Sequence, residues 1–376
     1  MLLAGIIGIG NAGSQVAKVA SMEGYDAIAI NSSENDLSTI SESVIKFPLG
    51  DLRGAGKNRN EAKMFLKESI RKILEKDEFN TFMTDKDIIF VVSSTGGGTG
   101  SGIAPLLTQI LKKSFPDSYI ILVGILPSLN EAYSTQINTL EYIQELYKKI
   151  DSPTYMIYDN EKESNLPSHL MMKSINEAIV NDIKVICGTY NYTTPFSSID
   201  EKDMSMIIST TGRIVVASYK NIKEKDIDKV SIEEQIKNLI KNGPHAELQL
   251  DKIIKRSGVI VNLSENIAKT FDEHMPTVQE FIGTPVEEFT HVAINNEKSM
   301  DNNVFFIAAG LSQISDRIEK INERIHEIES MQESTEEEND VFSVNVEEAN
   351  KKRDYKKKKV DSQVNVSSIF DEFMNM

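Results

Sequence analysis

The sequence predicts an α/β protein: a parallel sheet forming a nucleotide-type domain, followed by a smaller α+β domain. Two observations predict it. Short apolar runs alternate with helix-patterned stretches through the first half of the chain. Two of those runs end in glycine-rich loops that open straight into a helix, one at Gly8–Ser14 and one at Gly96–Gly102.

Taken in order, residues 2–9 read as a buried strand, about 13–24 as a helix, and Asp26–Ile30 as a second strand. A helix over 60–76 precedes the run Ile88–Val92, and the helix after the glycine loop starts near Ile103. Tyr119–Leu126 is a strand closed by Pro127, 132–150 a helix, Tyr155–Tyr158 a short strand, and 171–189 a long central helix. These make a first domain over 1–190. A second domain over 191–310 is expected to carry strands at Ile207–Ile208, Ile214–Tyr219, Val259–Leu263, Val292–Asn295 and Val304–Ala309. In 311–332, Leu311, Ile314, Ile318, Ile321, Ile325 and Ile328 recur every three or four residues, one apolar helical stripe that suits a coiled coil or packing on its own domain. Residues 333–376 read as a disordered charged tail: an acidic stretch, then seven Lys or Arg between Lys351 and Lys359, then an end that suits one or two amphipathic turns.

The chain has 376 residues with 41 Lys+Arg against 57 Asp+Glu, a net charge of -16. That excludes a nucleic-acid-binding surface over the whole molecule but not a local basic segment. Cys187 is the single cysteine, so no intrachain disulfide forms, which fits a reducing cytoplasm. The apolar start, MLLAGIIGIG, lacks a basic segment and reads as a strand rather than a signal peptide. No apolar run is long enough to span a membrane, and no membrane partner is expected. The five histidines are scattered, so no protein metal site is expected.

Gly96-Gly97-Gly98-Thr99-Gly100-Ser101-Gly102, between a strand and a helix, is suited to hold an anion. Glycines let successive N–H groups point into one concavity, and the helix adds its positive end. Thr99 and Ser101 add hydroxyls for phosphate or Mg²⁺. The first loop, with Gly10, Asn11 and Ala12, also fits a dinucleotide-binding loop. A nicotinamide-dependent oxidoreductase would want an acidic residue at the end of the second strand, where Asn31-Ser32-Ser33 stands instead.

These features together resemble the tubulin/FtsZ superfamily, whose signature loop is GGGTGSG. Further segments match it in order over about residues 1–310. Ala29-Ile30-Asn31 resembles the second-strand motif. Arg53-Gly54-Ala55-Gly56-Lys57-Asn58 resembles the loop that senses the γ-phosphate. Pro127 with Asn130-Glu131 resembles the ribose loop. Asn160, in Tyr158-Asp159-Asn160-Glu161-Lys162, resembles the guanine reader, and Asn181-Asp182 the pair on the central helix that touches the base. Ser198-Ile199-Asp200-Glu201-Lys202-Asp203 resembles the loop whose two acids, Asp200 and Asp203, complete the site of the next subunit. Locally the same segment also reads as a turn capping a helix near Met204. Ser198 stands where the superfamily has asparagine, Ala132 and Tyr133 where FtsZ has glycine and basic residues, and Glu177 where FtsZ has an aromatic.

The resemblance implies a GTPase that binds GTP/GDP with Mg²⁺ on the phosphates and self-assembles head-to-tail. Phosphates would lie on Gly10, Asn11, Ala12, Gly56, Lys57, Asn58, Gly96, Gly97, Gly98, Thr99, Gly100 and Ser101. Ribose and base would meet Asn31, Glu131, Asn160, Asn181 and Asp182. The striped helix and lysine run resemble the TubZ branch, which segregates plasmid or phage DNA. This implies a DNA-binding adaptor docked on residues 351–376; cell-division FtsZ-like and phage-spindle tubulins are the alternatives.

Overall fold

The computed structural model describes residues 2–188, 197–227, 229–295, 301–338 and 366–375. The first unit runs β1 (Ala4–Ile9), α1 (Gly10–Met22), β2 (Asp26–Asn31), α2 (Glu34–Ser38), β3 (Ile45–Pro48), α3 (Arg59–Leu74), α4 (Asp77–Thr84) and β4 (Ile88–Ser94). It continues through α5 (Thr99–Ser114), β5 (Tyr119–Leu126), α6 (Tyr133–Lys149), β6 (Thr154–Asp159), a 3₁₀ turn (Asn160–Glu163) and α7 (Ser168–Ile186). Strands β1, β4 and β6 are buried at almost every residue, as a sheet covered on both faces requires.

The second unit comprises α8 (Glu201–Ile208), β7 (Gly212–Tyr219), α9 (Glu224–Ile227), α10 (Ile232–Asn242), β8 (Ile253–Ser264), α11 (Glu265–Ala268), α12 (Pro276–Ile282), β9 (Thr284–Asn295) and β10 (Asn303–Leu311). Helix α13 (Ser315–Glu338) follows, and α14 (Val366–Asn375) ends the described chain.

Among the described residues the strands form one sheet, ordered β3-β2-β1-β4-β5-β6-β7-β10-β8-β9. The first seven are mutually parallel; β10 runs antiparallel to β7 and β8. The order 3-2-1-4-5-6 reverses between β1 and β4, and open α/β sheets bind ligands outside the carboxyl ends of strands at such a point. One core lies under α1, α7 and α8, a second under α3, α5 and α6, and a third under α10 and α12.

Three readings of the sequence change. Ile207 and Ile208 are the buried end of helix α8, not a strand, because Asp200 and Asp203 cap that helix. The isoleucine stripe starts after a strand residue, Leu311, and Ile321 and Ile325 are buried as α13 packs along α6 of the first unit. The tail does not read as wholly disordered: α14 lies against α3 and α5, and Phe373 is only 2% exposed there. The lysine run 351–359 lies outside the described residues.

Candidate functional site

Gly10 and Gly98 explain how the loops come together. Gly10 has φ +67, and a Cβ on it would stand 2.9 Å from the backbone nitrogen of Gly100. A Cβ on Gly98 would stand 2.8 Å from Cα of Lys57. The loops after β1 and β4 and the 54–58 loop therefore touch, backbone on backbone, at the switch point.

Helices α1 and α5 both begin there, and neither start carries a side-chain cap. Their N-cap residues are Ile9 and Gly98, and neither first turn holds an acidic residue. By contrast Ser33, Asn58, Asp200 and Ser231 cap α2, α3, α8 and α10. The first N–H groups of a helix have no intrahelical acceptor. Two uncapped starts aimed at one crevice suit an anion with several oxygens. Among the described residues no group of three or more His, Cys, Asp and Glu could hold a metal ion.

Surrounding side chains fix the loops. Ser32 and Thr99 share a hydrogen bond of 2.7 Å, tying the end of β2 to the start of α5. Lys57 has φ +62, a left-handed backbone that a non-glycine residue holds at a cost, and its ammonium donates to Thr135 Oγ1 at 2.9 Å. The side-chain amide of Asn138 lies within hydrogen-bond distance of three carbonyls, at 3.0 Å from Lys57 and 3.2 Å from Gly96 and Gly97. Behind it, buried Arg59 donates to Ser101 O at 3.0 Å and pairs with Glu141 and Glu145, and Lys63 pairs with Glu145.

The predicted phosphate residues thus converge, with two refinements. The Ser101 hydroxyl is buried and donates to Gly97 O, so Ser101 offers its backbone N–H rather than a hydroxyl. The Asn58 side-chain oxygen accepts from Asn60 and Glu61 N–H and caps α3, which leaves only the amine side for an anion.

The ribose and base residues are less uniform. Glu131 sits on an exposed turn, its carboxylate accepting from Ser128 N at 3.0 Å. Asn160 opens the 3₁₀ turn, half-buried. In that turn the Glu161 carboxylate accepts from Ser128 Oγ and Leu129 N at 2.7 and 2.8 Å, joining the two loops. Partial burial pushes its pKa up, but those donors and the nearby Arg317 and Lys320 outweigh it and hold Glu161 below the usual range.

Asn31 is 1% exposed, and its side chain is engaged by Asp36 and the Ser33 N–H, so it shapes a turn and does not present an open amide. Asp182 is also corrected. Its carboxylate accepts from Tyr158 OH at 2.7 Å and lies 2.9 Å from His245 Nε2, inside the core. Asn181 lies low on α7. Ser174 bonds Glu163 of the 3₁₀ turn, whereas Lys184 reaches Glu23 at the far end of α1. Seven residues separate Ser174 from Asn181, about 10 Å of helix. Glu177, one turn below Ser174 on the same face, is nearer the base loop.

Asp200 and Asp203 occupy the other end of the molecule. They form a reciprocal cap: Asp203 N donates to Asp200 Oδ1 at 2.8 Å and Asp200 N to Asp203 Oδ2 at 3.2 Å. Each carboxylate uses one oxygen in this cap, and Asp200 is exposed. Asp200 lines a cavity of about 150 Å³ with Leu2, Cys187, Ile199 and His291. Leu2 precedes β1, while Gly10 follows it, so a strand of 6 residues, about 20 Å, separates this loop from the crevice.

Residues 4–166 match the family described as Tubulin/FtsZ family, GTPase domain. The tubulin-like protein CetZ of Pyrococcus furiosus is 28% identical over 232 residues, 60% of this chain and 63% of the relative, so the match spans less than two thirds of that protein. Among solved structures, CetZ2 from Haloferax volcanii, a GTPγS-bound protofilament, has a TM-score of 0.70 at 17% identity, covering 87% of this chain and 99% of that one. A helical model of the TubZ-Bt two-stranded filament has a TM-score of 0.70 at 18% identity, covering 93% and 95%. Residues 4–166 therefore match the GTPase domain of the Tubulin/FtsZ family, within a chain that has the tubulin/FtsZ-like fold.

Proposed function

We propose that this chain binds GTP and GDP in the crevice between β1 and β4 and hydrolyses GTP only where a second copy of the chain stacks on it. The observation that carries this reading is the placement of Asp200 and the glycine loops at opposite ends of β1. One chain cannot bring both to one phosphate; a head-to-tail neighbour can. The phosphates would lie on the N–H groups of Gly10, Asn11, Ala12 and Gly96 to Ser101, with Gly56, Lys57 and Asn58 at the third phosphate. Asn160 would read the base and Glu131 the ribose. Bound Mg²⁺ would neutralise phosphate charge. The neighbour's Asp200 and Asp203, held rigid by their mutual cap, would orient the attacking water; in phosphoryl transfer such positioning supplies most of the rate. The CetZ2 protofilament and TubZ-Bt filament support self-assembly as the working state.

The test is turnover per molecule against protein concentration, with GTP and Mg²⁺, alongside light scattering and electron microscopy. A steep rise with concentration is expected. Constant turnover on dilution refutes the shared site.

The cargo reading is finer. We propose DNA partition through an adaptor docked on residues 351–376, supported by the lysine run and the resemblance to TubZ. Similarity to CetZ proteins leaves a division-type or other cytoskeletal role as the competing outcome. Recruitment of an adaptor–DNA complex by the full chain, lost on deletion of 351–376, tests it.

A further inference from the structure

On α6, Thr135, Asn138, Thr139 and Tyr142 follow one another at helical spacing and form one buried face turned to the glycine loop. A Cβ on Gly96 would collide with Thr135 Cγ2, so helix and loop are in direct contact. Thr139 shares a 3.1 Å hydrogen bond with Thr95, just before the loop. Asn138 is 8% exposed and differs from its neighbours in what it joins. Its amide NH₂ has two protons and three carbonyl acceptors: Gly96 and Gly97 on the loop after β4, and Lys57 on the loop before α3. No backbone hydrogen bond between those two loops duplicates this link among the described residues.

Lys57 is the residue whose position depends on it. Its left-handed backbone is held by what surrounds it, and here Asn138 holds its carbonyl while Thr135, one turn earlier on the same helix, holds its ammonium. The cation is thus kept at the mouth of the crevice, exposed, on a hydroxyl that a phosphate oxygen would outcompete.

We infer that Asn138 is a positioning residue that sets the spacing between the phosphate cradle and the Lys57 loop, and that it thereby makes the site discriminate a nucleoside triphosphate from a diphosphate. The inference rests on the nucleotide reading proposed above. The cradle formed by the starts of α1 and α5 serves phosphates common to both nucleotides; the Lys57 loop serves the third. Removing Asn138 cuts the tie between the two: the loop after β4 loses the contacts to Gly96 and Gly97 but stays anchored on α6 through Thr95 and Thr139, whereas the Lys57 carbonyl loses its link to the cradle. It leaves buried carbonyls without a donor, and one such loss weakens the arrangement by a free energy that corresponds to about tenfold or more in affinity.

The experiment is calorimetric titration of the full chain with GDP and with GTPγS, in Mg²⁺, for wild type, Asn138→Ala, Lys57→Ala and the double variant. Expected is about a tenfold loss of GTPγS affinity in Asn138→Ala, with GDP affinity within about twofold of wild type. In the double variant the GTPγS loss should not exceed that of the worse single variant, because both act through one contact. Should Asn138→Ala not fold, Asn138→Ser, which keeps one donor, carries the same comparison. Equal loss of GDP and GTPγS overturns the proposal and makes Asn138 a general packing residue. Additive losses in the double variant overturn it as well. If wild type binds neither nucleotide, the nucleotide reading itself fails, an outcome distinct from both.

Discussion

Arg317 on α13 lies 2.7 Å from Asp159 through its Nε and donates a further bond to the carbonyl of Pro127 at 2.6 Å. Both side chains are about 3% exposed. Asp159 is the last residue of β6 and Pro127 the first after β5, so one guanidinium pins the starts of the Asn160 turn and the 128–131 loop. Arg324 adds a weaker contact to Leu129 O at 3.3 Å. Helix α13 thereby braces both the Asn160 turn and the 128–131 loop, which the proposed function assigns to base and ribose.

Arg317→Ala should destabilise the protein by about 3–5 kcal/mol, because Asp159 would remain buried without its partner. Arg317→Lys should recover only part of this, since one ammonium cannot reproduce the forked contact. Urea unfolding of the three proteins checks both statements, and an unchanged midpoint for Arg317→Ala would refute them.

Asp200→Asn separates chemistry from structure. Asparagine caps helices as well as aspartate does, so α8 should keep its start and the melting temperature should stay within error. Nucleotide affinity should also be unchanged, because Asp200 is far from its own crevice. Hydrolysis should fall on the order of 100-fold, with assembly retained, as the positioned charge is lost. Asp200→Ala should lose the cap as well, at about 1 kcal/mol. A drop in GTP binding for Asp200→Asn would place this residue in the wrong site.

How much of this was legible in the sequence follows from what each residue needs to be interpreted. The parallel strands were readable because burial on both faces leaves unbroken apolar runs such as Ile88–Val92. Strands β8 and β9, each of 12 residues, were read only in their last third or half. Their first halves carry Lys255, Arg256, Glu287 and Glu288, and the Arg256–Glu287 pair sits on the sheet's exposed part. Strand β3 was missed because at 4 residues the alternation of Ile45 and Phe47 is too short to stand out, and Pro48 argues against a strand. The glycine loops announced themselves, because a backbone requirement is written directly as glycine. Asn138 did not, since an asparagine inside an amphipathic helix has no meaning until three carbonyls are placed around it. Asp182 was misassigned for the same reason: its partners, Tyr158 and His245, are 24 and 63 positions away.

Cys187 should be inert in the folded protein. It is 1% exposed, and burial pushes its thiol up to about 12, although Tyr25 acts in the opposite sense. The thiolate is the reactive form, so at pH 8 the folded chain presents almost none of it. The single thiol should react with a disulfide reagent only in denaturant, where its pKa returns to the ordinary range. One rapid equivalent from native protein would contradict this, and would mean that the cavity beside Asp200 opens in solution.

The last prediction concerns α14. Phe373 is buried against α3 and α5 with Lys149 5.0 Å above its ring, while Asp371 pairs with Lys67 at 3.4 Å and Glu372 with Lys113 at 3.0 Å. The two ion pairs are exposed, hence weak and screened by salt. The aromatic ring is the anchor. Phe373→Ala should therefore release this helix without unfolding the domain beneath it, because α3 and α5 keep their own core of Leu66, Ile70, Leu107 and Ile110. Hydrogen exchange across 366–375 should become fast in Phe373→Ala, while the melting temperature falls by only a few degrees. Raising salt in the wild type should weaken docking but not abolish it, since the ring contact does not depend on charge. Under the proposed adaptor reading, release of α14 frees residues 366–375 for a partner, so Phe373→Ala should bind an adaptor–DNA complex at least as well as wild type unless Phe373 itself is read. Slow exchange across 366–375 in Phe373→Ala would show that the anchor lies elsewhere, and weaker recruitment with fast exchange would assign Phe373 to the partner's own contact.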